Sequence, residues 1–458
     1  MASTKTIELT RAQRGTARAY LAAVGQFLLR SKLYWGLVLL LAVGIATSPV
    51  NSRGVNIFLS PGNLSDVLRQ VSNNGMVAVG MTLVILSGGI DLSVGSILAL
   101  ASVLCAMLWT QSGWTSAAVI SIPITALVLF VLVAWVVQAI PRMGAQTAGN
   151  APSINRAWTM AAYCLGALVA LFTAVWMVRM LPGKFGVAGV LVAVPAVGLV
   201  FGALNGVLIS KARLQPFIVT LATMVGILGI ARVVTGQDAS VFPVYVGSNS
   251  TDDVDLLRAL WWRVLPVPGL FFLAAALVVG VALKATTFGR YVYAIGGNEQ
   301  AARLSGIAVD RVKITVYALS GLLASLAGVL YTAQYQQGKP DAGSGIELDA
   351  IAAVVIGGTS LMGGKGFMAG TLVGVLIFGF LGNILQLNNI DSNMQLVLKG
   401  AIILGAVLLQ EGQAGRLARR LGSLLSRTPA AGSSASEVTS DAARTRSAPG
   451  TTGAISDS

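Results

Sequence analysis

Twelve apolar stretches recur along this 458-residue chain, and they constrain its fold more than any other feature. They are residues 33–50, 64–87, 92–110, 116–138, 158–181, 186–209, 216–235, 266–286, 314–335, 348–362, 367–386 and 394–410. A helix needs about 20 mostly apolar residues to cross a bilayer, and only helices and closed barrels satisfy every backbone polar group in lipid. We therefore predict an all-α, polytopic transmembrane helix bundle of about 12 spans. The tenth stretch is short, which predicts a broken or re-entrant segment.

The composition also favours lipid as the solvent of this chain. Hydrophobic residues make up 55% and charged residues 10% of it, whereas soluble domains carry about 25% charged residues. Histidine is absent, which removes the commonest general base and metal ligand. Cys105 and Cys164 lie inside apolar stretches, so we interpret both as small core residues and predict neither a disulfide nor a metal site.

The charges of the loops predict an even number of crossings, with both termini in the cytoplasm. In that arrangement the basic segments 290–313 and 416–420 lie inside, and the acidic loop 252–255 lies outside. Three basic residues on the outside fit less well: Arg53, Arg179 and Lys184. Retention of Lys and Arg on the cytoplasmic side also explains the net charge of +14, so we expect no nucleic-acid partner.

The two ends of the chain differ from the apolar region 33–410. Residues 1–32 are basic, with apolar residues at helical spacing between Arg11 and Arg30, which predicts an amphipathic helix on the cytoplasmic leaflet. Residues 411–458 form a cytoplasmic tail rich in Ser, Thr, Ala, Gly and Arg. Such a segment buries too little apolar surface to offset the entropy of ordering it, so we predict that this tail is disordered.

The polar segment 287–313 separates two apolar spans and carries signals for a short helix. Gly296, Gly297 and Asn298 predict a turn, in which Asn298 caps a helix over 299–304. Glu299 suits the positive end of that helix, and Gly306 predicts its end. A capped helix that projects into the cytosol suits a partner protein, but an ordinary solvated connector fits the same residues. Local physics leaves both interpretations open.

Three long motifs, in series, resemble the permease subunits of ATP-binding-cassette (ABC) sugar importers. The pattern Glu299-x-Ala301-Ala302-x-x-x-Gly306 resembles the "EAA" coupling motif of these permeases. The stretches Asn74–Ser96 and Gly345–Gly366 resemble signature segments of the ribose/xylose/galactose permease family. Shorter matches lie at 205–207 and 215–221. The resemblance covers 64–138 and 199–410, and it leaves 139–198 as an apparent insertion with two extra spans.

The resemblance implies a permease that conducts a sugar across the bacterial inner membrane without being an enzyme itself. Cytoplasmic ATPase subunits would hold the ATP and Mg²⁺, so this chain would bind no cofactor. The other implied partners are a periplasmic sugar-binding protein, membrane lipid and a second permease copy, as a homodimer or a heterodimer. The implied ATPase-coupling residues are Gly297, Asn298, Glu299, Ala301, Ala302, Arg303 and Gly306.

Two glycine pairs interrupt the apolar stretches. The segments 87–93 and 355–361 both place paired glycines and a hydroxyl residue between apolar runs, which indicates an internal repeat or a chance match. By motif position, the candidate translocation-path residues are Asn74, Ser87, Asp91, Ser93, Thr359 and Ser360. Capping of the following helix explains Asp91 and Ser93 equally well, and we expect Glu347 and Asp349 to cap the second half-span.

Several transport and enzyme classes lack their sequence signals in this chain. No phosphate-binding glycine loop and no nucleophile–base pair is found, so the energy for transport has to come from a partner or an ion gradient. An ion-coupled secondary transporter of a small polar solute is the alternative, but the spans are poor in the titratable residues that it would use. A membrane enzyme would need positioned acid–base groups. The transported sugar stays open between ribose, xylose, galactose and related compounds.

Overall fold

The computed structural model describes residues 32–147, 156–236, 241–262 and 265–410. In these ranges the chain forms fourteen α-helices. The first seven are α1 (Lys32–Thr47), α2 (Pro61–Leu86), α3 (Val94–Thr110), α4 (Ser116–Thr147), α5 (Arg156–Met180), α6 (Val187–Ser210) and α7 (Pro216–Thr235). The others are α8 (Val267–Ala285), α9 (Thr287–Gly297), α10 (Glu299–Leu304), α11 (Val309–Tyr335), α12 (Ile346–Ile356), α13 (Met368–Leu387) and α14 (Ser392–Gln410).

Each of the twelve apolar stretches coincides with one of these helices, so the predicted all-helical membrane architecture is confirmed. Seven helices in the described ranges are long and apolar enough to cross a membrane: α4, α5, α6, α7, α8, α11 and α13. Helix α12 has 11 residues, or about 16 Å at 1.5 Å per residue. It is therefore too short to cross the roughly 30 Å hydrocarbon core as a continuous helix.

Small extended segments accompany the helices. Strand β1 (Phe242–Pro243) pairs antiparallel with β4 (Gln337–Gly338), and β2 (Leu260–Trp261) pairs antiparallel with β3 (Leu265–Pro266). A 3-10 helix spans Asp252–Arg258. The sequence did not predict these pairs, because two-residue strands show no periodicity.

The acidic 3-10 helix and helix α10 lie at opposite ends of α6. At the start of α6, the Asp253 carboxylate accepts the Val187 amide N–H at 2.6 Å. At its other end, Ser210 and Arg213 line a cavity together with Glu299 of α10. The acidic and the basic loops are thus separated by the length of a transmembrane helix, as the loop charges predict.

Close packing of α6 against α11 forms the centre of the bundle. Gly198, Gly202 and Gly206 recur every fourth residue of α6, so they share one face. A Cβ atom at Gly202 would collide with the Tyr317 carbonyl oxygen, and one at Gly206 would lie 2.6 Å from the Ile314 Cα. Small residues at this spacing let two helix backbones approach in lipid, where van der Waals packing drives association.

Two expectations about these regions are wrong. Residues 287–297 form helix α9 and not a connector with a turn at Gly296–Gly297. The Thr286 hydroxyl caps this helix by accepting the Gly289 amide at 3.4 Å. Its Val292 and Ile295 side chains are buried on one face. Cys105 is buried but Cys164 is exposed, because it lies on an outward-facing side of α5. The amphipathic helix predicted within 1–31 and the tail predicted over 411–458 lie outside the described residues.

We predict that Gly202→Ala lowers the stability of the protein by about 2 kcal/mol, because the added methyl group forces α6 and α11 apart. Gly226→Ala in α7 is the control, since a Cβ atom there meets no atom within 4 Å. Thermal unfolding in detergent measures both variants. Equal melting temperatures for the two variants would contradict this account of the α6–α11 packing.

Candidate coupling site and buried helix breaks

Helix α10 is the short capped helix that the sequence predicts, with the same bounds. The Asn298 side chain accepts the Ala301 amide N–H at 2.9 Å and thereby caps the first turn. Gly306 ends the helix at φ +83°, a conformation that a residue with a side chain rarely adopts. The Gly306 and Ile307 amides donate to the carbonyls of Arg303 and Ala302, both at 3.1 Å. These two bonds form a Schellman cap.

Ion pairs connect α10 to the start of α11. Glu299 pairs with Lys313 at 2.6 Å, and Arg303 pairs with Asp310 at 2.9 Å and with Glu299 at 3.4 Å. Asp310 first, and then Glu299, raise the pKa of the Arg303 guanidinium above its ordinary value, so it stays charged. Water screens the exposed Arg303 guanidinium, so its pairs contribute little to stability. The pairs therefore orient α10 more than they stabilise it.

Helix α10 projects from the surface of the protein. A cavity of about 390 Å³ is lined by Arg213, Glu299 and Lys313, and one of about 640 Å³ is lined by Asn298, Glu299 and Leu304. Leu304 is 91% exposed, and Ala302 is the residue of this helix that is buried against the protein. The other predicted coupling residues lie at or near the surface: Gly297, Asn298, Glu299, Ala301, Arg303 and Gly306. Such a helix can insert into a groove of another protein.

The first helix break, residues 87–93, surrounds a buried carboxylate. Asp91 has no exposed surface, and its Oδ1 accepts the Ser93 amide at 3.1 Å and the Ser93 hydroxyl at 2.6 Å. Its Oδ2 accepts the Ser320 hydroxyl of α11 at 2.9 Å. The Asn205 side-chain amide of α6 donates to the Ser93 Oγ at 2.8 Å. These bonds supply the hydrogen-bond partners that a buried carboxylate needs.

The expectation that Ser93 caps the following helix is wrong. Ser93 precedes α3 in a right-handed helical conformation, and its side chain makes no capping bond. Its hydroxyl instead connects Asp91 with Asn205. Ser320 and Asn205 are the partners that sequence reasoning missed as site residues, because each lies more than 100 positions from Asp91 in the chain.

The second helix break closes in the same way as the first. Gly88 at φ +80° and Gly358 at φ +90° end α2 and α12. In the first break the Gly89 amide donates to the Val84 carbonyl at 3.0 Å, and in the second the Thr359 amide donates to the Val354 carbonyl at 3.2 Å. Both are the six-to-one bond of a Schellman cap. The two breaks thus close with the same cap, although the left-handed glycine is the first of its pair at Gly88 and the second at Gly358.

The candidate path residues do not form one cluster. Asn74 lies 13 positions before Ser87 in α2, or about 20 Å along the helix. The neighbouring Asn73 donates from its side chain to Gln334 of α11 at 2.9 Å. Ser87 donates its hydroxyl to the Val84 carbonyl within its own helix at 2.8 Å. Thr359 is buried, and the Ser360 hydroxyl accepts the Met362 amide at 3.3 Å.

An ion pair between α12 and α14 was also missed. Lys399 donates to Asp349 at 2.8 Å, with 25% and 18% of the two side chains exposed. Asp349 lies inside α12, whose N-cap residue Gly345 makes no side-chain capping bond, so the expectation that Asp349 caps this helix is wrong. Charged residues between apolar helices are rare and usually paired, because an unpaired charge in lipid costs several kcal/mol. Spacing alone could not match an acid with a base 50 residues away.

The comparisons identify the family of the chain. The sequence profile of a family described as "Branched-chain amino acid transport system / permease component" matches residues 153–407. This permease family includes our chain. The ribose/xylose-type resemblance is confirmed, and the chain is an integral protein of the bacterial inner membrane. No solved structure matches it.

Named relatives of this permease are subunits of sugar importers. The ribose import permease protein RbsC of Escherichia coli K12 is 37% identical over 392 residues, which cover 84% of this chain and 94% of RbsC. The RbsC of Bacillus subtilis is 39% identical, over 77% of this chain and 85% of its own length. The xylose transport system permease protein XylH of E. coli K12 is 32% identical, over 76% and 85%.

We predict that Lys399→Met destabilises the permease by about 2 kcal/mol, because it leaves the Asp349 carboxylate without its partner. The double variant Asp349→Asn/Lys399→Met removes both charges and recovers at least half of that loss. Thermal unfolding in detergent gives both values. A double variant less stable than Lys399→Met would show that the ion pair does not govern this contact.

Proposed function

We propose that this chain is the transmembrane permease subunit of an ABC importer that carries a monosaccharide, a pentose or hexose such as ribose or xylose. The observation that carries the proposal is helix α10, which holds the coupling motif in a capped and projecting helix. The sugar-import relatives support the substrate class. The particular sugar would be selected largely by the binding protein.

The proposed assembly contains two permease copies, two cytoplasmic ATPase subunits and a periplasmic sugar-binding protein. ATP and Mg²⁺ belong to the ATPase subunits, and this chain binds no cofactor. The chain crosses the membrane twelve times, with both termini and α10 in the cytoplasm. The separation of the acidic 3-10 helix from α10 across the length of α6 supports this orientation.

In the proposed mechanism, closure of the ATPase subunits displaces α10. Helix α11 follows because its first turns hold α10 through the Glu299–Lys313 and Arg303–Asp310 pairs. Ser320 of the same helix holds the Asp91 carboxylate, so the first break moves with α11. Alternating access follows, as the two states expose the path to opposite sides of the membrane. Asn74, Ser87, Asp91, Ser93, Thr359 and Ser360 remain the proposed path residues.

An ion-coupled transporter is the second candidate, and the buried Asp91 carboxylate is the observation that favours it. A carboxylate inside a membrane protein is a frequent proton or cation site. Asp91, however, already accepts three hydrogen bonds from Ser93 and Ser320. That arrangement favours a structural role, and we rank the importer first.

We predict that Leu304→Asp abolishes co-purification with the ATPase subunit of the importer, because a charge replaces the most exposed apolar side chain of α10. Leu256→Asp is the matched control: Leu256 is 64% exposed and belongs to the 3-10 helix at the other end of the protein. Binding to the ATPase is measured after solubilisation of the assembled complex.

Uptake into proteoliposomes with the ATPase and the binding protein completes this test. Wild type and Leu256→Asp take up radiolabelled ribose or xylose when ATP is present on the ATPase side, and Leu304→Asp does not. Uptake that needs no ATP and collapses with an uncoupler would replace the importer with the ion-coupled transporter. Normal ATPase binding by Leu304→Asp would remove α10 from the interface.

A further inference from the structure

Three distant segments meet next to helix α10, backbone against backbone. We call Gly88, Gly296, Gly363 and Gly364 the glycine junction. A Cβ atom at Gly296 would collide with the Leu86 carbonyl oxygen and would lie 2.5 Å from the Gly364 amide nitrogen. A Cβ atom at Gly363 would lie 2.9 Å from both the Gly296 oxygen and the Gly88 Cα. No side chain fits between these three backbones.

Two hydrogen bonds cross the junction. The Gly364 amide donates to the Leu86 carbonyl at 3.0 Å and joins the loop that follows the second break to the end of α2. The Tyr293 hydroxyl of α9 donates to the Gly366 carbonyl at 2.9 Å. Burial raises the pKa of Tyr293 above its ordinary value, so the hydroxyl keeps its proton and remains a donor. Helix α9, which leads directly into α10, therefore contacts the first break and the residues 363–366 that follow the second break.

This contact is stiffer than the ion-pair connection between α10 and α11. The Arg303–Asp310 pair, which connects the two helices, joins side chains that are 48% and 29% exposed, and such side chains change rotamer without moving the backbone. Backbones in van der Waals contact cannot slide without a clash or a lost hydrogen bond. A displacement of α10 is thus passed to the breaks through α9 and Gly296, since packed interiors transmit strain.

We propose that Tyr293 and Gly296 are positioning residues of transport, which transmit the displacement of α10 through the glycine junction to both helix breaks. The inference rests on the proposed function, because the displacement comes from the ATPase. It assigns Tyr293 a role that neither the motif nor the predicted coupling residues include. It also explains why the two helix breaks lie next to the end of α9, just before α10 begins.

The test measures sugar transported per ATP hydrolysed in proteoliposomes that contain permease, ATPase and binding protein. Tyr293→Phe removes one hydroxyl, and Gly296→Ala adds one methyl group to the junction. Both variants are expected to co-purify with the ATPase and to hydrolyse ATP, while the ratio of sugar to ATP falls at least fivefold. The controls are Tyr291→Phe, on the exposed side of the same helix, and Gly226→Ala, which meets no neighbour. Both controls keep the wild-type ratio.

Each outcome separates this inference from its rivals. A wild-type ratio in Tyr293→Phe overturns the inference, as does an equal loss in Tyr291→Phe. Loss of ATPase binding in Tyr293→Phe overturns it as well, because the residue would then serve docking. A lower melting temperature with a normal ratio assigns Tyr293 a structural role only. If Gly296→Ala does not fold, Tyr293→Phe decides alone. Failure of the wild-type chain to bind the ATPase rejects the proposed function itself.

Discussion

The absence of water from the bilayer core is the constraint on which this structure depends. Every backbone amide and carbonyl in the core needs a partner within the protein, because an unpaired group in lipid costs several kcal/mol. Two helices end at glycine pairs, and the left-handed glycines there, Gly88 and Gly358, are exposed. Both ends are closed by Schellman caps, and the first break is further held by Asp91. The breaks are therefore stable features that can move as units.

The energies of the contacts show how a signal would travel through the permease. Solvent screens the Arg303 pairs of α10, and it screens the Glu299–Lys313 pair least, because the Lys313 side chain is only 14% exposed. These side-chain contacts orient the helix. The α6–α11 contact and the glycine junction are packed backbone to backbone, and a single added methyl group in such a contact costs about 1–3 kcal/mol. The stiffest connection between α10 and the helix breaks therefore runs through these glycines, and the ion pairs set the orientation of α10.

Local chemistry made much of the coupling site predictable from the sequence. The bounds of α10 were predicted correctly, because its start and end signals lie within a few residues of chain. These signals are the Asn298 cap, Glu299 in the first turn and the Gly306 stop. Helix α9 was missed because its glycines and β-branched or aromatic residues have weak helix propensity. Packing of Val292 and Ile295 compensates for that propensity.

Long-range partners could not be predicted. The packing of helices that lie far apart in the chain brings these partners together. They are Ser320 and Asn205 around Asp91, Lys399 beside Asp349, and Tyr293 beside Gly366. Spacing identifies a residue that needs a partner, but the fold decides which residue supplies it. The family signature marked Asp91 and Thr359 as candidate path residues without showing what they contact, and that role stays a prediction.

The central claim is that α10 lies in the cytoplasm and is covered by the ATPase, and the labelling of one cysteine tests it most directly. Gln300 is an exposed residue of α10, and Cys164→Ser removes the exposed native thiol. In that background a membrane-impermeant maleimide should label Gln300→Cys in inside-out vesicles and not in right-side-out vesicles. Added ATPase subunit should protect it. Labelling from the outer side, or labelling unaffected by the ATPase, would contradict the account.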